Sequence, residues 1–132
     1  MRVIITGGSG LIGRTLSVNL VRDGYEVIIL SRRPEQLVGL PAGVRVEKWD
    51  GHTAAGWDSL VDGNSAIVNL AGEDISSARW SDERKRAIRQ SRLNSSRAVV
   101  QAVEAAVDRP AVVIQASGIG YYGPSGDEEI TE

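Results

Sequence analysis

A cluster of glycines near the N-terminus has a spacing that could hold a phosphorylated ligand. Residues 6–13 read Thr-Gly-Gly-Ser-Gly-Leu-Ile-Gly, which contains a Gly-x-Gly-x-x-Gly pattern. Glycine permits a tight turn from strand to helix, lets a pyrophosphate approach the backbone, and allows a helix to pack closely. The helix N-terminus then presents free N–H groups and a positive dipole to the phosphates. The pattern therefore predicts a pyrophosphate site formed by Gly7, Gly8, Ser9, Gly10, Leu11, Ile12 and Gly13.

The alternative is an ordinary glycine turn without a ligand. The context favours the binding site, because the segment follows an apolar strand pattern, opens an amphipathic helix and leads to a second strand.

The end of that second predicted strand distinguishes between two dinucleotides. A site that prefers NAD carries an acidic residue about 20 residues after the glycines, whereas arginine accommodates the 2′-phosphate of NADP. This sequence has Ser31-Arg32-Arg33. Ser31 can donate a hydrogen bond and Arg32 a charge-assisted, bidentate one, so we predict a site for NADP(H) that includes Arg33. The alternative is that both arginines are solvated charges after a strand.

The remaining composition excludes several kinds of site. The 132 residues include no cysteine and a single histidine, His52, so we predict no metal site and expect the chemistry to come from a cofactor. A net charge of −2 argues against a general nucleic-acid partner. No apolar run is long enough to span a bilayer, and the N-terminus resembles no signal peptide. We therefore expect a cytoplasmic protein with a small-molecule substrate of unknown identity and no membrane partner.

Short β-branched runs alternate with helical stretches, which is typical of a parallel sheet covered on both faces. The predicted strands are residues 3–6, 26–31, 44–48, 66–70 and 111–115. The third alternates in polarity and is expected nearer an edge. The pattern predicts one domain over residues 1–132, an α/β fold with a Rossmann-type, doubly wound parallel sheet of five strands.

Two longer helices are predicted. The first covers residues 11–23, ends at Asp23-Gly24, and carries an aliphatic stripe of Leu11, Ile12, Leu16, Leu20 and Val21. Brief helices are expected over residues 35–38 and 57–61. The second long helix begins after Ser81 as N-cap and ends before Pro110. Its apolar and small residues are Ile88, Ser95, Val99, Ala102, Val103 and Ala106.

Several motifs resemble the short-chain dehydrogenase/reductase superfamily, in its extended and atypical branch of NAD(P)-dependent epimerases and dehydratases. Residues 6–13 look like that branch's TGGxGxxG turn, Asp50 like its adenine-contacting acid, and residues 69–72, Asn-Leu-Ala-Gly, like its NxAG segment. Residues 115–123 are similar to its serine-rich strand end that finishes in Tyr-Gly. Residues 71–75, 79–80, 91–92 and 120–123 together resemble the "epimerase family protein" group within it.

The resemblance implies roles for individual residues. Gly7, Gly10, Leu11 and Ile12 would hold the pyrophosphate, Asp50 the adenine, and Leu70, Ala71 and Gly72 the adenosine ribose. Ser117 would polarise the substrate oxygen as the catalytic candidate; the alternative is that it satisfies backbone groups at a strand end. Arg92 lies on the same helix side as Ile88 and Ser95, so it is a candidate contact for an anionic group. For the other basic residues between 79 and 97, a solvated helix face is favoured over a ligand or nucleic-acid surface.

The implied activity is NADP(H)-dependent oxidation, reduction or epimerisation by hydride transfer at a carbonyl or alcohol carbon. The superfamily's Tyr-x-x-x-Lys pair does not occur in these residues. This leaves open an alternative, a non-catalytic redox sensor that binds NADPH. Proteins of this kind continue into further C-terminal strands and a small substrate domain, so the chain resembles an N-terminal part that we expect to be inactive alone. A homodimer is a further expectation from the resemblance.

Overall fold

The computed structural model describes residues 1–75, 79, 81–117 and 126, and the structural statements below concern these residues. Five parallel strands form one sheet in the order β3-β2-β1-β4-β5. Their bounds are Arg2–Thr6 for β1, Glu26–Ser31 for β2, Val44–Lys48 for β3, Ser65–Asn69 for β4 and Val112–Gln115 for β5. Helix α1 spans Leu11–Arg22 and helix α2 spans Asp82–Ala105. The predicted Rossmann-type, five-stranded sheet is confirmed.

The two helices cover opposite faces of the sheet, because neighbouring residues of a strand point to opposite sides. On one face, Val3 and Ile5 of β1 pack in a cluster that includes Leu16, Leu20 and Val21 of α1. On the other face, Ile4, Ile28 and Ile67 pack with Ala98, Val99 and Ala102 of α2. Strands buried on both sides explain the nearly continuous apolar runs in the sequence.

Strand order determines where a ligand can bind. The chain runs outward from β1 through β2 to β3, then returns to the other side of β1 for β4 and β5. The connections after β1 and β4 therefore leave the sheet in opposite directions and open a crevice at its carboxyl edge, where open α/β sheets bind their ligands. The predicted edge position of β3 is confirmed. Among the described helices, none has the length and apolar character needed to cross a membrane.

Some predicted boundaries were wrong by one residue. Strand β1 begins at Arg2, β4 ends at Asn69 and begins at Ser65, β5 begins at Val112, and α1 ends at Arg22. The brief helices are 3-10 turns over Pro34–Gln36 and Asp58–Leu60.

The aliphatic stripe of α1 was predicted one turn too early. Leu11 and Ile12 are 87% and 70% exposed, whereas Leu16 packs in the core. The first turn of α1 directly follows the glycine segment after β1, and the contacts of α1 with the core begin at Leu16. The N-cap of α2 is confirmed: the Ser81 hydroxyl accepts a hydrogen bond from the Arg84 amide at 3.1 Å.

Candidate functional site

A groove of about 1000 Å³ lies at the carboxyl edge of the sheet. Its walls come from the glycine segment, the end of β2, the loops after β3 and β4, and one face of α2. Ten of the predicted cofactor-binding residues line it, namely Gly7, Ser9, Gly10, Ser31, Arg32, Arg33, Asp50, Leu70, Ala71 and Gly72. The fold therefore brings together predicted residues that are up to 65 positions apart in the sequence, from Gly7 to Gly72.

The glycine turn is shaped by contacts that leave no room for side chains. Gly7 has a φ of +68°, and a Cβ there would lie 2.8 Å from the carbonyl group of Leu70. A Cβ on Gly8 would lie 2.7 Å from the side chain of Ile29, and a Cβ on Gly13 would lie 2.5 Å from the Cα of Gly8. Gly13 thus lets α1 pack against the turn itself.

Helix α1 begins beside the groove without a cap of its own. Its N-cap, Gly10, has an extended backbone and offers no side-chain acceptor, and the first turn contains no acidic residue. The first helical hydrogen bond runs from the Arg14 amide to the Gly10 carbonyl at 2.9 Å. The amides of Leu11, Ile12 and Gly13 precede it and have no helical partner. Although the side chains of Leu11 and Ile12 point to solvent, their backbone can serve an anion.

Arg14 braces this turn, a role that the sequence motifs did not reveal. Its Nε donates to the Ser9 carbonyl at 2.8 Å, and its Nη1 donates to the carbonyls of Val38 and Gly39 at 2.8 and 3.1 Å. The guanidinium therefore joins the glycine turn to the connection between β2 and β3. An arginine directly after the last glycine of the motif is the only sequence signal for it.

Arg32 lies at the opposite end of the groove. Its side chain is 71% exposed, and its stem runs over Gly51, where a Cβ would lie 3.1 Å from the arginine Cδ. The Arg32 carbonyl accepts a hydrogen bond from Lys48 Nζ at 2.6 Å. Ser31 turns its hydroxyl toward the Arg33 amide, from which it accepts at 3.1 Å. This part of the groove thus combines two basic side chains, Arg32 and Arg33, with the hydroxyl of Ser31.

Glu73, in the loop after β4, contacts this basic end from across the groove. Its carboxylate lies 3.9 Å from Arg32 Nη1 and 3.2 Å from Arg84 Nη1. Its amide donates to Ser91 Oγ at 2.9 Å, so the loop is tied to α2 as well. In the sequence, Glu73 belongs only to the family-like segment 71–75, and no motif predicts a role for it.

Arg92 is exposed and does not line the groove. Its guanidinium covers Gly72, where a Cβ would lie 3.0 Å from the arginine Cζ, and its Nη1 donates to the Glu73 carbonyl at 3.4 Å. Arg92 therefore supports the loop after β4. Direct contact with an anionic group stays a prediction.

Asp50 lies in the loop after β3, and its carboxylate closes a local turn. Oδ1 accepts from the amides of His52 and Thr53, each at 2.8 Å, and Oδ2 accepts from the Thr53 hydroxyl at 2.5 Å. Partial burial raises the pKa of Asp50, but the hydrogen bonds from Thr53 and His52 outweigh that effect and the pKa falls below its ordinary value of 3.8. The side chain is therefore ionised at neutral pH and remains in the groove wall.

The loop that carries Asp50 is anchored by two tryptophans. Trp49 and Trp57 are buried, their rings meet edge to face, and both indole N–H groups donate to the Thr53 carbonyl, at 2.7 and 3.0 Å. Trp49 also lines the groove, so its fluorescence can report on a ligand there.

Asn69 fixes the loop after β4 from within the protein. It is fully buried; its Oδ1 accepts from the Thr6 hydroxyl at 2.5 Å, and its Nδ2 donates to Gln115 Oε1 at 2.7 Å and to Ser95 Oγ at 3.4 Å. One amide thus connects β1, β4, β5 and α2 below the groove. In this structure the asparagine of the NxAG-like segment has a positioning role.

Ser117 is exposed two residues beyond β5 and is absent from the groove lining. Its catalytic role stays a prediction. The neighbouring Gly118, the tyrosines Tyr121 and Tyr122, and Trp80 lie outside the described residues. Within the described part of the chain, no group of three His, Cys, Asp or Glu residues could hold a metal ion.

Comparison with known proteins agrees with this geometry. Residues 3–132 match the model of the NAD dependent epimerase/dehydratase family. The epimerase family protein SDR39U1 homolog, chloroplastic, of Arabidopsis thaliana is 37% identical over 95% of this chain and 36% of its own length. The epimerase family protein YfhF of Bacillus subtilis is 34% identical over all of this chain and 42% of its own length.

A solved structure adds a ligand to the comparison. The crystal structure of human epimerase family protein SDR39U1 (isoform 2) with NADPH superimposes with a TM-score of 0.76 at 33% identity, over 95% of this chain and 39% of that one. The chain therefore spans about two fifths of the length of the proteins that it resembles.

Proposed function

This chain belongs to the NAD dependent epimerase/dehydratase family, and on that premise we propose that its groove binds NADP(H) for hydride transfer at a carbonyl or alcohol carbon of a small molecule. The observation that carries the proposal is the pairing of an uncapped helix start with Arg32 in one continuous groove. A dinucleotide needs a pyrophosphate site and an adenosine site in the same groove, and the residues at both places have suitable chemistry.

The pyrophosphate fits at the glycine turn. The amides of Leu11, Ile12 and Gly13 would donate to its oxygens, and the dipole of α1 favours the negative charge. Gly10 lets the phosphates approach, since its Cβ position is open except for the Gly7 carbonyl at 3.4 Å.

The adenosine fits between the ends of β2, β3 and β4. Arg32 and Ser31 would hold the 2′-phosphate, and Asp50 would border the adenine with its remaining acceptor capacity. The backbone at Leu70, Ala71 and Gly72 would form the wall against the ribose. An arginine in place of an acidic residue after β2 favours the phosphorylated ribose over a free 2′-hydroxyl.

When bound, the cofactor would supply the hydride, and the protein would supply orientation and electrostatics. Ser117 is the residue of this chain that we assign to the substrate oxygen, because its hydroxyl follows β5 at the carboxyl edge of the same sheet. The NADPH in the human relative's crystal structure supports the choice of cofactor.

Calorimetric titration of the 132-residue chain with NADP⁺ and NAD⁺ tests the binding. We expect tighter binding of NADP⁺, and in Arg32→Ala a loss of about tenfold to a hundredfold that affects NADP⁺ far more than NAD⁺. Arg22→Ala is the matched control, because Arg22 is an exposed arginine in the last turn of α1, away from the groove. Equal affinity for both nucleotides in the unmodified protein would contradict the proposed specificity.

Hydride transfer needs a separate assay on a longer protein, in which this chain continues into the C-terminal strands and substrate domain of its family, because the 132 residues alone are expected to be inactive. NADPH oxidation, followed by absorbance with a panel of aldehydes, ketones and nucleotide sugars, should identify a substrate class, and Ser117→Ala should lower kcat by about tenfold or more. Tight NADPH binding without turnover on any substrate would instead support the redox-sensor alternative.

A further inference from the structure

Glu73 is an acidic residue in the part of the groove that the proposed function assigns to the doubly charged 2′-phosphate of NADP(H). It lies directly across from Arg32, with 3.9 Å between Oε1 and Nη1. If the binding site proposed above is correct, the carboxylate and the 2′-phosphate compete for one guanidinium. We propose that Glu73 is an internal occupant of the 2′-phosphate subsite, which pairs with Arg32 in the absence of cofactor and limits the preference for NADP(H) over NAD(H).

The contacts of Glu73 are unequal, and this allows an exchange. The distance to Arg84 is 3.2 Å, and that arginine has a side chain only 19% exposed. The distance to Arg32 is longer, and Arg32 is 71% exposed. Ion pairs weaken with distance and with exposure to water, so the contact with Arg32 is the weaker of the two. When a phosphate takes Arg32, Glu73 retains Arg84 as its partner.

The backbone around Glu73 keeps the carboxylate in place. Its amide donates to Ser91 Oγ at 2.9 Å, and its carbonyl accepts from Arg92 Nη1 at 3.4 Å. Both bonds are independent of the Glu73 side chain. A change of the carboxylate to an amide should therefore leave the loop after β4 in its present position.

The consequence differs between the two dinucleotides. NADP⁺ must displace the Glu73 carboxylate from Arg32 before its 2′-phosphate can pair with that guanidinium, and this exchange weakens its binding. NAD⁺ has only a hydroxyl at this position, so the carboxylate affects it little. Glu73 thus lowers the affinity for NADP⁺ relative to NAD⁺ and has little effect on the affinity for NAD⁺.

Titration of Glu73→Gln with NADP⁺ and NAD⁺ tests this proposal. We expect NADP⁺ to bind about threefold to tenfold more tightly than to the unmodified protein, with NAD⁺ affinity unchanged. The gain should shrink as ionic strength rises, since salt screens the competing charges. Glu104→Gln is the matched control, because it removes the same charge from an exposed position in the last part of α2. Should Glu73→Gln be too unstable to titrate, Glu73→Asp shortens the carboxylate away from Arg32 and should give a smaller gain in the same direction.

A double variant separates an exchange at Arg32 from simple repulsion. In the Arg32→Ala background, Glu73→Gln should no longer increase NADP⁺ affinity, because Glu73 has no guanidinium to release. A gain that persists in that background, or that NAD⁺ shares equally, would overturn the proposal. So would a loss of NADP⁺ affinity in Glu73→Gln, which would make Glu73 a contact of the cofactor.

The same titrations distinguish this inference from the proposed function on which it rests. If the unmodified chain binds NADP⁺ in an Arg32-dependent manner and Glu73→Gln changes nothing, only the role of Glu73 is wrong. If the unmodified chain binds neither nucleotide, the proposed function fails, and the role of Glu73 fails with it.

Discussion

The two long helices begin in opposite ways, although both begin with a residue in an extended conformation. Helix α2 is capped by Ser81, whose hydroxyl accepts from the Arg84 amide, and Asp82 and Glu83 stand in its first turn. Helix α1 starts at Gly10 with no side-chain cap and no acid. The first arrangement satisfies the helix start with the protein's own groups; the second leaves amides and dipole for an external anion. Under the proposed function, this difference separates a helix start that serves stability from one that serves binding.

The largest expected effect comes from giving α1 a cap like that of α2. Gly10 has φ −74° and ψ 175°, a conformation open to any residue, so Gly10→Asp should form a good N-cap. We expect the free energy of unfolding to rise slightly, by about a few tenths of a kcal/mol. NADP⁺ affinity should fall by about a hundredfold, because the new carboxylate stands where the pyrophosphate must bind.

The neutral variant Gly10→Asn isolates the contribution of charge. It should stabilise α1 to a similar extent and lose less affinity than Gly10→Asp. Equal losses of affinity in both variants would mean that volume, rather than charge, blocks the site, and unchanged affinity in both would remove α1 from the binding site.

The second-largest effect is expected at Gly13, where the first turn of α1 packs against the glycine turn. A Cβ at Gly13 would lie 2.5 Å from the Cα of Gly8, a backbone atom that cannot rotate away. Gly13→Ala should therefore lower the free energy of unfolding by about 2 kcal/mol or more, despite the better helix propensity of alanine. Chemical denaturation measures this change. The control Gly63→Ala places its Cβ no closer than 3.5 Å to a neighbour and should have little effect, so equal losses in both would contradict the steric argument.

Removal of the α2 cap should have a smaller effect and a different kind of consequence. Ser81→Ala should lower the free energy of unfolding by about 1 kcal/mol, because the Arg84 amide loses its acceptor. NADP⁺ affinity should not change, since Ser81 does not line the groove. A large loss of affinity in this variant would show that the start of α2 also serves the ligand.

The sequence predicted the course of the backbone better than the positions and contacts of the side chains. Each strand was found within one residue, because β-branched runs buried on both faces have few other structures available. The glycine turn was recognised from its spacing together with the strand pattern before it and the helix pattern after it, and the spacing is informative because the shape of the turn depends on where a Cβ cannot fit. Leu11 and Ile12 were wrongly included in the aliphatic stripe of α1, because residue type does not show that the first turn of this helix is exposed.

The residues that sequence reasoning missed act through distant partners. Arg14 contacts carbonyls 24 and 25 positions away, and Glu73 contacts Arg32, 41 positions earlier in the chain. Such contacts depend on which loops the strand order places side by side. A motif records only neighbours in sequence, so an arginine brace or an acidic residue across a groove has no local signature.

The smallest effect is expected at Asp50, whose carboxylate is hydrogen-bonded within its own turn. A variant of Asp50 tests whether the charge of such a carboxylate contributes to stability. These hydrogen bonds lower the pKa of Asp50 below 3.8 in the folded protein. Ionisation of Asp50 therefore stabilises the folded state, and this contribution is fully present at pH values above the pKa of the same carboxyl in the unfolded chain. This contribution is lost as pH falls through the lowered pKa. Asp50→Asn should therefore be less stable than the unmodified protein at pH 7, and in denaturation experiments the difference should shrink progressively as the pH is lowered below 3.8. A constant difference between them across this range would show that the turn depends on the shape of the side chain and not on its charge.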